Sequence, residues 1–358
     1  MSDPNTIRIL EIDGGGERGI MPMTFLQKFV QQWGVTPTSL AQQFDVICGT
    51  SIGGIMALGL AIGMSPAQLL PFFTVQGPYI FSLTSLVPSV RPNLAAKIAL
   101  LLLDIPFYQS SGPTAAKYGS GLLSATMSSV FGTNTMANLQ TNVVIPSFQY
   151  DTGTYVVNSN LNYPQFIGQN DLITNVALAT SAAPVYLPSA DYNNHVYIDG
   201  GVYQNNPASF GYTLGQMVKP NANRACVLSL GTGLGEYGFD PGNPSMTDSR
   251  IDPLVMTQIK NLQRTMPGAF DSIQTIFQLF GISSTGGQES VALALLLESS
   301  YTLQQLYYYR FQPQLDPNLN TELDNTDPAI LAYYNQVVDA WYNGDIQNIT
   351  TFIGHLTA

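Results

Sequence analysis

Apolar residues fall along this chain in two alternating patterns. Ile7 to Ile12 reads as a short buried strand, and it stops at Asp13-Gly14-Gly15-Gly16. From Gly19 to Trp33, the positions Ile20, Met23, Phe25, Leu26, Phe29 and Val30 recur at helical spacing, with Pro22 early enough in the helix to be tolerated. Phe44 to Cys48 repeats the strand signal. Ser51 to Ile62, built of small apolar residues, repeats the helix signal. Further along, the pattern predicts a helix over Tyr118 to Phe131, strands over Asn142 to Pro146 and Tyr155 to Asn158, and a helix over Leu172 to Thr180. Two more strands follow at Val196 to Asp199 and Ala225 to Leu230. Strands alternating with helices predict an α/β fold, a mostly parallel central sheet with helices on both faces.

Two stretches depart from this alternation. Residues 75–113 carry Pro78, Pro88, Pro92, Pro106 and Pro113 around the apolar run Leu94 to Leu103. A lid over an apolar pocket and a core helix with proline-rich flanks both fit that segment. Beyond Gly235 the chain is loop-rich, with helical patterns at Pro253 to Thr265, Phe270 to Phe280, Ser290 to Leu306 and Pro328 to Tyr342. The expected organisation is a polar tail over residues 1–6, a core over 7–235 with 75–113 as lid or insertion, and a C-terminal helical extension, 236–358, packed on the same domain.

Composition narrows the partners. The 358 residues are 45% apolar and 10% charged, with a formal charge of −11. That balance suits a globular chain and argues against nucleic acid, whose phosphates need a basic surface. No Lys or Arg occurs between Lys117 and Lys219, and no basic cluster exists to grip anionic lipid. Any membrane contact is therefore expected to be transient and apolar. The two cysteines, Cys48 and Cys226, fall in strand patterns and read as buried thiols. Neither a signal peptide nor a span-length apolar run is visible, which makes the cytoplasm the expected location.

Three short motifs carry candidate chemistry. Gly49-Thr50-Ser51-Ile52-Gly53 is a G-x-S-x-G pentapeptide between a predicted strand and a predicted helix, the setting of a nucleophile elbow. Gly14, Gly16 and Gly19 have the spacing of a dinucleotide-binding loop, but the acidic residue expected about 20 positions later is missing. The favoured alternative is a loop whose backbone N–H groups face a tetrahedral oxyanion, with Arg18 adding positive charge; a purely structural turn is the third reading. Asp199-Gly200-Gly201 ends an apolar strand, where open α/β sheets place functional groups, although an Asx turn would also explain the aspartate. A serine needs a base. His195 lies four residues before Asp199 on the same strand, roughly 13 Å away by strand rise, and His355 is near the C-terminus. A Ser-His-Asp triad is poorly supported by either.

Together these motifs resemble the patatin-like phospholipase family, in order and in spacing. Thr141 to Pro146, Ala179 to Pro184, Asn205-Asn206-Pro207-Ala208 and Leu230-Gly231-Thr232-Gly233 are similar to family sequence too, and Tyr309-Arg310-Phe311-Gln312 looks like a strand before terminal helices. The resemblance implies a patatin-like three-layer fold and cleavage of fatty acyl esters of lipids, with no metal and no cofactor. It implies Ser51 as nucleophile and Asp199 as general base and acid. Gly14, Gly15, Gly16 and Arg18 would form the oxyanion site, with Gly49, Thr50, Ile52 and Gly53 as the elbow and Gly200 and Gly201 completing the aspartate motif. Glu17 departs from it, standing where the family often has an apolar residue. A phospholipase switched on by a ligand or partner, and a storage or scaffold protein with incidental esterase activity, are the other readings of the same resemblance.

Overall fold

The strands of the central sheet run in the order β5-β6-β3-β2-β1-β7-β8, with β4 paired to β3 off this path. They are β1 (Thr6–Ile12), β2 (Val46–Gly49), β3 (Asn142–Gln149), β4 (Thr154–Asn158), β5 (Ala190–Tyr192), β6 (His195–Asp199), β7 (Arg224–Leu230) and β8 (Gln305–Phe311). This computed structural model describes residues 3–82, 116, 118–184, 186–234 and 305–358. Most of the candidate lid, the helical patterns at Pro253 to Thr265 and Phe270 to Phe280, and nearly all of Ser290 to Leu306 lie outside the described residues.

The five strands β3, β2, β1, β7 and β8 pair in parallel, and β4, β5 and β6 join antiparallel beside them. Parallel strands are buried on both faces, so alternate residues must be apolar in both directions. β1 obeys this: Ile7 and Ile9 pack into one core, Leu10 and Ile12 into the other. The second core lies under α1 (Ile20–Trp33), α2 (Ile52–Ala61), α3 (Gly121–Phe131) and α4 (Ile173–Thr180). The first lies under α5 (Ala208–Val218). Two terminal helices, α6 (Pro328–Gly344) and α7 (Ile346–Thr357), complete the α1 side. The result is the three-layer α/β architecture.

The C-terminal segment is woven into the sheet. β8 pairs with β7 in parallel over its whole length, Arg224↔Gln305 through Leu230↔Phe311. Gln305 and Leu306, the last residues of a helical pattern, therefore begin a strand. Cys48 and Cys226 are both free and buried, and burial pushes the Cys226 thiol up to about 11. Such thiols stay protonated and pack as small apolar groups. Among the described residues no helix is long and apolar enough to cross a membrane.

Candidate functional site

The turn from β2 into α2 puts Ser51 in a rare backbone conformation, φ 57° and ψ −126°. A non-glycine residue there costs roughly 1–3 kcal/mol and needs its surroundings to hold it. They do so from three sides. The Ser51 N–H donates to Thr180 Oγ1 at 3.0 Å, and that hydroxyl donates to the Pro146 carbonyl at 2.6 Å. Thr50 Oγ1 donates to the Gln204 carbonyl at 2.7 Å. Gly53 lets α2 sit directly on the end of β1, since a Cβ there would lie 2.2 Å from the Ile12 carbonyl oxygen.

Asp199 ends β6 with no exposed surface. Its N–H donates to the Ala182 carbonyl at 3.0 Å, and its Oδ1 accepts from the Gly201 N–H at 2.7 Å. The Asx turn that offered an alternative reading is thus present, but it occupies one oxygen. Oδ2 has no partner meeting hydrogen-bond geometry among the described residues, while the Ser51 side chain is close enough to favour the charged carboxylate. Burial outweighs the Ser51 and Gly201 contacts and pushes the carboxyl up to about 7.

The glycine loop is clamped at its first residue. The Gly14 N–H donates to the Asn205 carbonyl at 3.2 Å, and the Gly14 carbonyl accepts from Thr232 Oγ1 at 2.7 Å and Asn205 Nδ2 at 3.3 Å. Gly14 was expected among the oxyanion donors, yet its N–H is committed to the scaffold. The N–H groups of Gly15, Gly16 and Ile52 donate to no acceptor among the described residues. Gly16 needs its glycine: φ is +56°, and a Cβ would lie 2.1 Å from the Leu323 carbonyl oxygen. Arg18 turns back on the loop, its Nε donating to the Gly15 carbonyl at 3.4 Å, so it braces the loop from within.

Beneath the loop lies a buried ionic cluster that the motifs do not contain. Arg310 of β8 grips Asp13 with two contacts, 3.0 Å to Oδ1 and 2.6 Å to Oδ2. The same guanidinium donates to Ser229 Oγ at 2.8 Å and approaches Glu11 Oε2 at 3.4 Å. Ser229 Oγ donates to Glu11 Oε2, and Asn206 Nδ2 donates to both, at 3.1 Å to Glu11 and 3.2 Å to Ser229. Burial and the neighbouring Asp13 raise the Glu11 carboxyl well above its usual range. A Glu in the middle of a buried strand, Ile-Leu-Glu11-Ile, and an Arg inside the aromatic run Tyr308-Tyr309-Arg310-Phe311, were the available signals. A buried charge demands a partner.

Ser51, Asp199, the three loop glycines and Arg18 all line one cleft, which encloses about 720 Å³ including open solvent at its mouth. Its remaining wall is largely apolar, with Phe72, Ile80, Phe81, Leu123 and Leu187. The sequence profile described as patatin-like phospholipase matches residues 10–210, and these hold all three motifs. The chain belongs to the patatin-like phospholipase family. It is 32% identical over 230 residues to a cGAMP-activated phospholipase of Pseudomonas aeruginosa, covering 63% of this chain and 62% of that relative. A cGAMP-activated phospholipase of Vibrio cholerae is 30% identical over 67% of this chain and 68% of its own length. Patatin-like protein 2 of Arabidopsis thaliana is 32% identical, over 64% of this chain and 60% of its own. Among solved structures, VipD from Legionella pneumophila aligns with 95% of this chain and 68% of its own, at 13% identity and a TM-score of 0.36.

In this patatin-like chain both histidines are occupied elsewhere. His195 Nδ1 contacts Asp151 Oδ2 at 2.8 Å and Gln149 Nε2 at 2.9 Å, at the opposite end of β6 from Asp199. His355 stacks on Tyr307, ring centroids 3.7 Å apart. His195→Ala and His355→Ala should each keep ester hydrolysis within about tenfold of the native protein, after correction for stability. A loss in His195→Ala as deep as in Ser51→Ala would make His195 the base and leave Asp199 at most an orienting group.

Proposed function

We propose that this protein is a phospholipase A-type lipid acyl hydrolase working through a Ser51–Asp199 dyad and an acyl-enzyme intermediate. The observation that carries the reading is the pairing itself: a fully buried carboxyl with one uncommitted oxygen beside a serine on a strained elbow. Asp199 takes the Ser51 proton as the hydroxyl attacks an acyl ester carbonyl. The uncommitted N–H groups of Gly15, Gly16 and Ile52 hold the oxyanion, each such donor contributing about 3 kcal/mol in comparable sites. The protonated Asp199 then donates to the leaving alcohol, and a water activated by the same carboxylate releases the acyl chain.

Apolar side chains in and next to the cleft lining support a lipid substrate. Val75, Tyr79 and Leu122 are 51%, 66% and 41% exposed beside the lining residues Phe72, Ile80, Phe81 and Leu123. These exposed side chains offer apolar contact to a lipid surface, approached from the aqueous side and without a basic patch. Because Asp199 must be ionised to act as base and its carboxyl is held near pH 7, kcat/KM should rise as pH climbs through about 7 and then level off. A pH–rate profile already flat from pH 5 upward would remove Asp199 as the base.

A second reading has its own support in the two bacterial relatives named cGAMP-activated phospholipase. Under it, the same dyad is silent until cGAMP binds. The test serves both readings: purified protein is assayed on phospholipid vesicles with and without cGAMP. Turnover in both conditions favours the constitutive hydrolase and turnover only with cGAMP the switched one. No fatty acid release in either, over a range of head groups, would sink the lipase proposal.

A further inference from the structure

Glu17 stands one residue beyond Gly16, lines the cleft, and is 1% exposed. Its carboxyl rests on Gly77, where a Cβ would come within 2.3 Å of Oε1. Oε2 has no hydrogen-bonding partner among the described residues. Burial, reinforced by the nearby Asp324, pushes the carboxyl well above the usual carboxylate range, so it holds its proton and presents an O–H. A buried polar group left without a partner is destabilising, and an apolar residue at this place would carry no such penalty. Among the described residues nothing offsets that cost, and a polar group on a molecule bound in the cleft would do so.

Glu17 belongs to an apolar stretch of the cleft wall. It packs on the 72–81 segment, which supplies Phe72, Ile80 and Phe81 to the wall. Asp199 is held by another part of the chain, bonded to Ala182 and Gly201. Since Asp199 protonates the leaving alcohol, that group belongs on its side and the acyl chain runs along the Glu17 wall. Consecutive α-carbons are about 3.8 Å apart, so a side chain adjacent to Gly16 meets the first few carbons after the carbonyl.

Resting on the Ser51–Asp199 reading, we propose that Glu17 is a specificity-determining residue that hydrogen-bonds an oxygen substituent near the ester end of the acyl chain, so that hydroxylated acyl esters are preferred over plain alkanoyl esters. A hydroxyl suits a protonated carboxyl because each partner can donate to and accept from the other. The rest of the wall keeps its apolar grip on the hydrocarbon.

The test compares 4-nitrophenyl decanoate with 4-nitrophenyl 3-hydroxydecanoate, identical in leaving group, with cGAMP present throughout. The native protein should favour the hydroxy ester in kcat/KM by about 3- to 10-fold, the worth of one neutral hydrogen bond. Glu17→Leu should abolish that preference, while Glu17→Gln, which can still donate and accept, should keep most of it. Glu17→Leu should also raise Tm by roughly 2–4 °C, because it removes an unpartnered buried group. Should that variant fail to fold, Glu17→Met fills the space more adaptably and serves in its place. An unchanged ratio in folded Glu17→Leu, or a lower Tm restored by Glu17→Gln, would overturn the proposal and leave the dyad untouched. No turnover of either ester would overturn the dyad reading first and this one with it.

Discussion

Ser51→Ala and Asp199→Asn should each lose at least about a thousandfold in ester hydrolysis while folding normally, and the double variant should be no worse than either. Groups that act as one unit fail together: under the proposed dyad, no acyl-enzyme forms without the serine, and the hydroxyl stays protonated without the carboxylate. The residual rate would come from the Gly15 and Gly16 N–H groups, which donate to no acceptor among the described residues and which neither change removes. Single-turnover assays on a soluble ester, with circular dichroism as the folding check, would measure this. Asp199→Asn has a second expected consequence. The folded carboxyl keeps its proton to about pH 7, whereas an unfolded one releases it near pH 4, so folding takes up a proton between those values. Stability from this group is therefore lost as pH rises through that window, and Asp199→Asn should resist urea better than the native protein above pH 7. Equal denaturation midpoints at pH 8 would mean that the carboxyl is less buried than its surroundings indicate.

Arg310→Met should be the most damaging change outside the dyad. Asp13 has no exposed surface, and the guanidinium supplies two contacts to it along with one to Ser229. Removing one partner of a buried pair strands the other, at about 3–5 kcal/mol. Chemical denaturation should register that loss. Activity should fall further than stability alone explains, because Asp13 leads directly into the glycine loop. Arg310→Lys should recover only part of it, since an ammonium cannot make the paired contacts of a planar fork. Native-like stability in Arg310→Met would show that the cluster is dispensable to the fold.

Much of the fold was legible because buried parallel strands and amphipathic helices write distinct periods. β1, β2, α1 and α2 fall within one or two residues of the positions their patterns predict. α5 left no clear trace for the opposite reason. Its Gly211 and Gly215 weaken any helical signal, but they are there because the helix lies against β1 and β2; a Cβ at Gly211 would meet Cys48 Sγ at 2.6 Å. Packing overrode propensity. The placement of Ser51 at a strand-to-helix turn and Asp199 at a strand end could be read locally. What was not local could not be read: Arg310 reaches Asp13 across 297 positions, and Thr180 reaches Ser51 across 129. Gly14 shows the same limit within a motif, since only the fold reveals that Asn205 already holds its N–H.

The span between Asp13 and Arg310 also sets an order of events during synthesis. A nascent chain that has emerged through β7 already contains Ser51, Asp199 and the whole glycine loop, yet the cation that neutralises Asp13 is still unmade. Until β8 docks beside β7, the Asp13 carboxylate under the loop lacks the guanidinium that grips it in the folded protein. Among the described strands β8 comes last in the sequence, so the cation beneath the glycine loop arrives after every motif residue.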